Sequence, residues 1–344
     1  MSDGGEMTSK HLKKPVVPVE VSSEGNVSEL LEQMSDSAFQ GRNLGRAVEI
    51  WLEMLQEETY ILLGLAGAMV PAGMRKLVVY LIRNRLIDCI VSTGANLFHD
   101  IHETLGKYHY KGSHMADDSA LFEEGIDRIY DVFAPEKEFV DTDEYIGKVV
   151  AGLDKDAKIN TRRLMHLLGE DLHKRKAADG IVVAAYEAGV PVYCPAVSDS
   201  SVGIALAVGR AEHGNDVQID VIDDINELTA VVDSMDATGV IYIGGGTPKN
   251  FIQQTEVVNA VIGHPGMGHK YAIQITTDSP HWGGLSGCTF AEAQSWGKIS
   301  LESHHVMVFC DATIGLPMLV TAVAQRGKDI MAARKPLDYD FKSP

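Results

Sequence analysis

The chain has 344 residues, 45% hydrophobic and 23% charged, the balance of a soluble globular protein with ample core. Its formal net charge of −18 disfavours nucleic acid and anionic membranes as partners, since both need basic patches, and would help attract a cationic substrate. The four cysteines, Cys89, Cys194, Cys288 and Cys310, show no CxxC spacing, which fits a reducing compartment.

Residues 1–25 mix Gly, Ser, Pro and Lys without periodicity and read as a tail. They hold no apolar core suited to a signal peptide. No later stretch reaches the ~20 apolar residues of a membrane span, so a cytoplasmic location is expected. "VSELLEQMSDSAF" and "LGRAVEIWLEMLQ" place apolar residues at helical spacing, and "AGMRKLVVYLIRNRL" is an amphipathic helix running into the β-rich "IDCIVSTGAN". Residues 105–165 read as irregular or helical. Strand candidates then follow in series: "PVYCPAV", "DVQIDVI", "GVIYIGGG", "YAIQITT" and "VMVFCDA". Continuous apolar runs bounded by Gly, Asp or Thr suit parallel strands buried on both faces. The alternation predicts an α/β fold with an open, doubly wound, mostly parallel sheet. We expect one domain over residues 26–335 with an N-terminal helical extension, and a short tail at 336–344.

Ligands of open α/β sheets bind at the carboxyl ends of the strands. Five such ends carry small, hydroxyl or acidic residues: Ser92-Thr93-Gly94, Ser198-Asp199-Ser200, Gly244-Gly245-Gly246, Asp278-Ser279 and Asp311-Ala312. Together they predict a ligand crevice. A triple glycine lets backbone approach a ligand and offers N–H groups to an anion, although it is not a GxGxxG. Asp199 or Asp311 could accept from a ribose, pair with an amine, or cap the next helix.

In "EAQSWGKIS", Glu292 and Trp296 stand four apart and share a helical face. Gly297 suits a left-handed cap, and Lys298 is the first side chain after it. Packing against an indole in a dry pocket would ready an amine for nucleophilic attack, whereas a lysine after a helix cap also serves the helix dipole as ordinary surface charge. His99 and His102 flank Asp100, but without a third ligand at suitable spacing no metal site is expected. There is no GxSxG or HExxH motif.

"EAQSWGKI", preceded by "GGGTPKN" and "GGLSG", resembles the deoxyhypusine synthase family. "STGAN", "GIDRIYD", "PVYCPAVSDSSVG" and "FCDATIGLPML" are similar to that family's blocks in the same order. The resemblance covers residues from about 35 to 325 and points to the prokaryotic, deoxyhypusine-synthase-like branch. It implies a Rossmann-like, NAD-dependent transferase, a homotetramer with active sites at subunit interfaces. It further implies that the 4-aminobutyl unit of spermidine passes through an imine on Lys298 to an acceptor amine, with 1,3-diaminopropane released. Trp296 would then wall the amine and Glu292 would clamp an ammonium, with Asn250, Ser286 and Asp199 on the substrate side. Ser92, Thr93, Gly94, Gly244, Gly245, Gly246, Asp278, Asp311 and Ala312 match cofactor-side positions.

The departures are specific. Leu285, Ile204, His99 and Trp282 stand where the family has polar or acidic residues, and Asn250 stands where it has a histidine. Fewer acids leave fewer partners for ammonium groups. The polyamine must then be held differently, or a different amine is used; the resemblance to the prokaryotic branch implies a small amine such as putrescine or agmatine as the favoured acceptor. The alternatives are a lysine of the translation factor 5A precursor, or a non-catalytic regulatory paralogue.

Overall fold

The computed structural model describes residues 13–154, 157–214, 217–264, 266–337 and 339–341. Its strands are β1 (Tyr60–Leu65), β2 (Cys89–Ser92), β3 (Tyr110–Lys111), β4 (Ile126–Ile129), β5 (Val132–Pro135), β6 (Lys158–Ile159), β7 (Val192–Tyr193), β8 (Gln218–Ile219), β9 (Thr238–Ile243), β10 (His269–Thr276) and β11 (Ile299–Phe309). Six of them form one parallel sheet in the order β11-β10-β9-β1-β2-β7. The doubly wound α/β architecture expected from sequence is therefore present.

Alternate residues of a strand point to opposite faces, so a strand apolar throughout must be covered on both sides. In β1, Ile61, Leu63 and Leu65 enter one core while Tyr60 and Leu62 enter the other. Ile241 and Ile243 of β9 part from Val240 and Tyr242 in the same way. The first core is closed by the N-terminal helices Val27–Ser35 and Phe39–Gln56 and by Ala312–Arg326. Trp51, on the second of these, is fully buried, and burying such a side chain contributes about 1.5–3 kcal/mol. The helical extension is thus one layer of the sandwich. Helices Val221–Asp233 and Gly246–Val261, with Phe290, cover the other face.

Three local expectations need correction. The patterning does not single out β1, yet it is a central strand. Its run "YILLGLAGAMV" is apolar without a period, which periodicity cannot assign to strand or helix. "DVQIDVI" is not a strand of the main sheet. Residues 215 and 216 lie outside the described residues, β8 pairs only with β6, and Asp220 caps a helix starting at Val221 by accepting from the N–H groups of Ile222 and Asp223. The segment 105–165 contains a three-stranded antiparallel sheet, β3-β5-β4, beside its helices.

The described residues nearest each end are tied down. Residues 1–12, 338 and 342–344 lie outside the described residues. The Val17 N–H donates to the Asp36 carbonyl (3.1 Å) and Glu20 N–H to Gln33 Oε1 (2.8 Å). At the other end, Arg334 pairs with fully buried Asp88 (2.5 Å) and donates to the Thr59 carbonyl (3.0 Å). Leu337, Tyr339 and Phe341 pack on the second core, with the Arg162 guanidinium 4.2 Å from the Phe341 ring centre. Among the described residues, no helix is long and apolar enough to cross a membrane.

Candidate active site

Because the six strands are parallel, the five predicted strand ends lie along one edge of the sheet. From β1 the chain winds outward to β2 and β7 on one side, and to β9, β10 and β11 on the other. The order reverses between β1 and β9, where open sheets of this kind form their crevice. The glycine turn follows β9 there. The Gly245 Cα faces Ser286 so closely that an added Cβ would stand 2.5 Å from the Ser286 Cα, and Ser286 Oγ accepts from the Gly246 N–H (3.0 Å). At Gly246 the space is open, with no heavy atom within 4 Å of a Cβ position. Two strand spacings away, about 10 Å, β2 ends in buried Ser92, followed by Thr93 and by Gly94, which opens the helix Gly94–Thr104. At the turn itself Gly244 and Gly246 are half-buried and Gly245 is buried.

Lys298 reaches the same region from the opposite side. The helix Phe290–Ser295 is capped by Thr289, whose hydroxyl accepts from the Glu292 N–H (3.1 Å). It ends in a Schellman motif: the Lys298 N–H donates to the Ala293 carbonyl (3.1 Å) and the Gly297 N–H to Gln294 (3.0 Å), with Gly297 at φ 70° as the sequence predicts. The Lys298 carbonyl accepts from the N–H of His269, the first residue of β10, so its backbone lies at the amino end of the sheet. Its side chain runs to the second turn of the helix Gly246–Val261, where Nζ donates to Asn250 Oδ1 (3.3 Å). Nζ also lies 5.3 Å from the Trp296 ring centre, a cation–π distance. The indole wall is present, but it is 65% exposed, so in the single chain it does not make the dry pocket expected from sequence.

Between the glycine turn and Lys298 sits a residue that the sequence analysis passed over. Lys249 is 1% exposed. Its ammonium donates to Gln274 Oε1 (2.8 Å) and to the Cys288 carbonyl (2.5 Å), and lies over the Phe290 and Tyr242 rings. Gln274 in turn donates from Nε2 to the carbonyls of Gly244 and Ser286 (both 2.8 Å). Burial pushes Lys249 down to about 8, and the charge of Lys298 adds to this while Cys288 and Glu292 oppose it. Two signals could have found this network. One is a polar Gln274 inside the apolar run "YAIQI". The other is the buried polar stripe Lys249, Gln253 and Glu256 on one helix face.

Not every predicted residue joins this group. Asp311 caps the helix Ala312–Arg326, accepting from the Thr313 hydroxyl (2.6 Å) and N–H (2.7 Å), and these bonds hold its carboxyl below the usual range. Of the roles open to it, capping is thus filled. Asp278 follows β10 one strand beyond the glycine turn, its own N–H bonded to Thr276 Oγ1 (3.1 Å). Asp199 is exposed beyond β7, at the edge of the sheet farthest from β11. Five spacings, about 24 Å, separate those two strands, while the Lys298 side chain turns inward to Asn250 on the helix after β9. His99 is buried, pushed down to about 3 chiefly by burial, with Nδ1 bonded to His109 Nε2 (3.0 Å); His109 bonds Glu103 (2.8 Å). Among the described residues, no group of three or more His, Cys, Asp or Glu is disposed to hold a metal. Leu285 and Trp282 are exposed near the site's loop, and Ile204 is exposed on the helix Ser201–His213.

A parallel Rossmann-like sheet, a glycine turn at its switch point and a lysine over an indole define an α/β protein with an amine close to the switch point of its sheet. The chain belongs to the deoxyhypusine synthase family, whose pattern matches residues 29–323. It is 51% identical over 328 residues to "Probable deoxyhypusine synthase 2" of Methanosarcina mazei, covering 95% of this chain and 94% of that one. It is 55% identical over 287 residues to the protein of that name from Archaeoglobus fulgidus, covering 83% and 94%. A "Deoxyhypusine synthase-like protein" of the bacterium Chlorobaculum parvum is 38% identical, covering 90% and 89%. The solved structure of a candidate deoxyhypusine synthase from Entamoeba histolytica shares the fold at a TM-score of 0.63, with 19% identity, covering 92% of this chain and 97% of that one.

Proposed function

We propose that this chain is an NAD-dependent aminobutyltransferase that moves the four-carbon unit of spermidine, through an imine on Lys298, to an acceptor amine. The observation that carries this reading is Lys298 Nζ held by Asn250 and lying over Trp296, within the span that matches the family. When bound, NAD would accept a hydride from the carbon beside spermidine's secondary amine and return it at the end, with no net consumption. Gly244, Gly245 and Gly246, with Ser92, Thr93, Gly94, Asp278 and Ala312, would hold it; the open space at Gly246 fits such a ligand.

Lys298, as the free amine, attacks the imine carbon of the dehydrogenated polyamine. The carbon–nitrogen bond to 1,3-diaminopropane breaks, and that diamine leaves with the proton it gains. The aminobutyl unit stays on Lys298 until the acceptor amine attacks the same carbon and frees the lysine. Glu292 is exposed one helical turn before Trp296 and supplies a negative charge for a substrate ammonium. Asp199 follows β7, the edge strand opposite β11, which Lys298 precedes. This fits a homotetramer whose active sites are shared between subunits.

The acceptor we favour is a small diamine. Leu285, Ile204 and Trp282 present apolar surface where acids would hold a longer polycation. Methanosarcina mazei and Archaeoglobus fulgidus each have a second relative, "Probable deoxyhypusine synthase 1", which this chain matches less closely, at 41% and 40% identity. Paired relatives within one organism leave room for one of them to use a different acceptor. The names of the relatives support the second reading, a lysine of the translation factor 5A precursor. Incubation with spermidine, NAD and either putrescine, agmatine or the factor, read by product mass, separates the two.

A further inference from the structure

We propose that a cavity at the amino ends of β9 and β11 binds an aliphatic diamine, with one ammonium on buried Glu256 and Asn259 and the other among the carboxylates at its mouth. The site is separate from the glycine turn, and it does not depend on the role given to Lys298.

The cavity measures about 360 Å³ and is lined by Thr238, the first residue of β9, and by Ser300 of β11. Gly244 follows the other end of β9, about 20 Å away at the rise of a strand. Lys298 precedes β11, but its side chain leaves for Asn250. Along the helix Gly246–Val261, Asn250 stands about 9 Å before Glu256.

Four carboxylates line the cavity, Glu256 within it and Asp233, Asp236 and Glu302 exposed at its mouth. The lining cation Lys270 is engaged by Glu57 (2.5 Å). The exposed acids alone would be ordinary surface charge; the buried groups behind them are not. Glu256 is 5% exposed and Asn259 1%, and three positions apart they share a helix face. Glu256 Oε2 accepts from the Gly268 N–H (3.3 Å), and a Cβ at Gly266 would collide with the same oxygen, so the carboxylate faces the segment that walls the cavity. Oε1 has no hydrogen bond among the described residues. His269 Nδ1 stands 3.7 Å from it and is already bonded to the Thr238 hydroxyl (2.8 Å). Burial pushes that imidazole down to about 4, so it supplies no charge at neutral pH. Asn259 Oδ1 has no partner either.

Buried carboxylates are as a rule paired, and buried acceptors bonded. Two acceptors on one helix face therefore lack what an ammonium supplies, positive charge together with N–H donors. A metal ion does not suit them, because among the described residues no group of three or more His, Cys, Asp or Glu is disposed to hold one. Acids at both the inner end and the mouth call for a cation with two charged ends, and Val232 and Met235 offer apolar surface to the methylenes between.

Calorimetric titration of the full-length protein with putrescine, butylamine and Mg²⁺ tests the proposal. Glu256→Gln keeps the side chain's shape and removes a buried charge, and Glu302→Gln alters an exposed residue, so the second variant guards against misfolding of the first. One putrescine site per chain should weaken about tenfold or more in Glu256→Gln, and less in Glu302→Gln. Butylamine, with one charged end, should bind that site more weakly than putrescine. Stoichiometry and affinity for putrescine unchanged by Glu256→Gln would overturn the proposal, as would Mg²⁺ binding that Glu256→Gln abolishes. Glu292→Gln separates this site from the one beside Lys298. If only Glu292→Gln loses putrescine, the diamine binds by the nucleophile and the present site falls. If only Glu256→Gln loses it and no amine is transferred, the site stands and the aminobutyl chemistry is what falls.

Discussion

Asn250 and Lys298 are 48 positions apart in sequence, yet Nζ of the lysine donates to Oδ1 of the asparagine at 3.3 Å. The bond is long for its type and so holds the amine without locking it. Asn250→Ala should leave the fold intact and lower kcat/KM for polyamine cleavage about tenfold, the equivalent of one modest hydrogen bond. Steady-state kinetics on the purified variant check this. A rate equal to wild type would show that Asn250 does not place the amine.

Gly245 permits the close seating of Ser286. A methyl group there would stand 2.5 Å from the Ser286 Cα, and backbone cannot step aside as a flexible side chain can. Gly245→Ala is expected to destabilise the protein by about 1–3 kcal/mol and to weaken dinucleotide binding. Urea denaturation and NAD titration by calorimetry measure the two effects.

Arg334 holds the C-terminal segment through buried Asp88, which also accepts from the Ile61 N–H (2.9 Å) at β1. Arg334→Met strips the partner from a buried carboxylate, a change that costs about 3–5 kcal/mol. Thermal melting should show the loss. The double variant with Asp88→Asn should recover part of it, because no uncompensated charge remains.

Asp224 gives stability a pH dependence of defined sign. Burial pushes its carboxyl up to about 7, against bonds from the Thr161 hydroxyl and the N–H groups of Arg162 and Thr161. Unfolded, such a group titrates near 3.9. Between those values the native state holds a proton that the unfolded state has lost, so this contribution is present at low pH and declines as pH rises from about 4 to about 7. Asp224→Asn removes the titration. The stability difference between wild type and variant should therefore shift against the wild type by about 2–4 kcal/mol across that interval. A difference independent of pH contradicts the assignment.

Much of the architecture was legible because most strands are short apolar runs closed by Gly, Asp or Thr, and that pattern has few other solutions. β1 escaped because "YILLGLAGAMV" is apolar throughout and carries no period. "DVQIDVI" misled because its apolar residues alternate, while Asp220 turns the chain into a helix at Val221. At the site, the Gly297 cap and the stacking of Lys298 on Trp296 are local in sequence and could be read from it. Lys249 is marked only indirectly, by Gln274 inside an apolar run and by the polar stripe on its own helix, because its partners Gln274 and Cys288 lie 25 and 39 positions away. Nor does sequence show that Asp199 and Asp311 follow opposite edge strands, since strand order is set by packing and not by chain order.

The most direct test incubates the purified protein with NAD and spermidine, with and without putrescine or agmatine, and identifies the amines by mass, with Lys298→Ala as control. Release of 1,3-diaminopropane together with an aminobutylated small amine, both absent in Lys298→Ala, is the predicted result. Release of diaminopropane without a small-amine product would move the acceptor to a protein lysine. No cleavage of spermidine by the wild type, or equal cleavage by Lys298→Ala, would contradict the role given to Lys298.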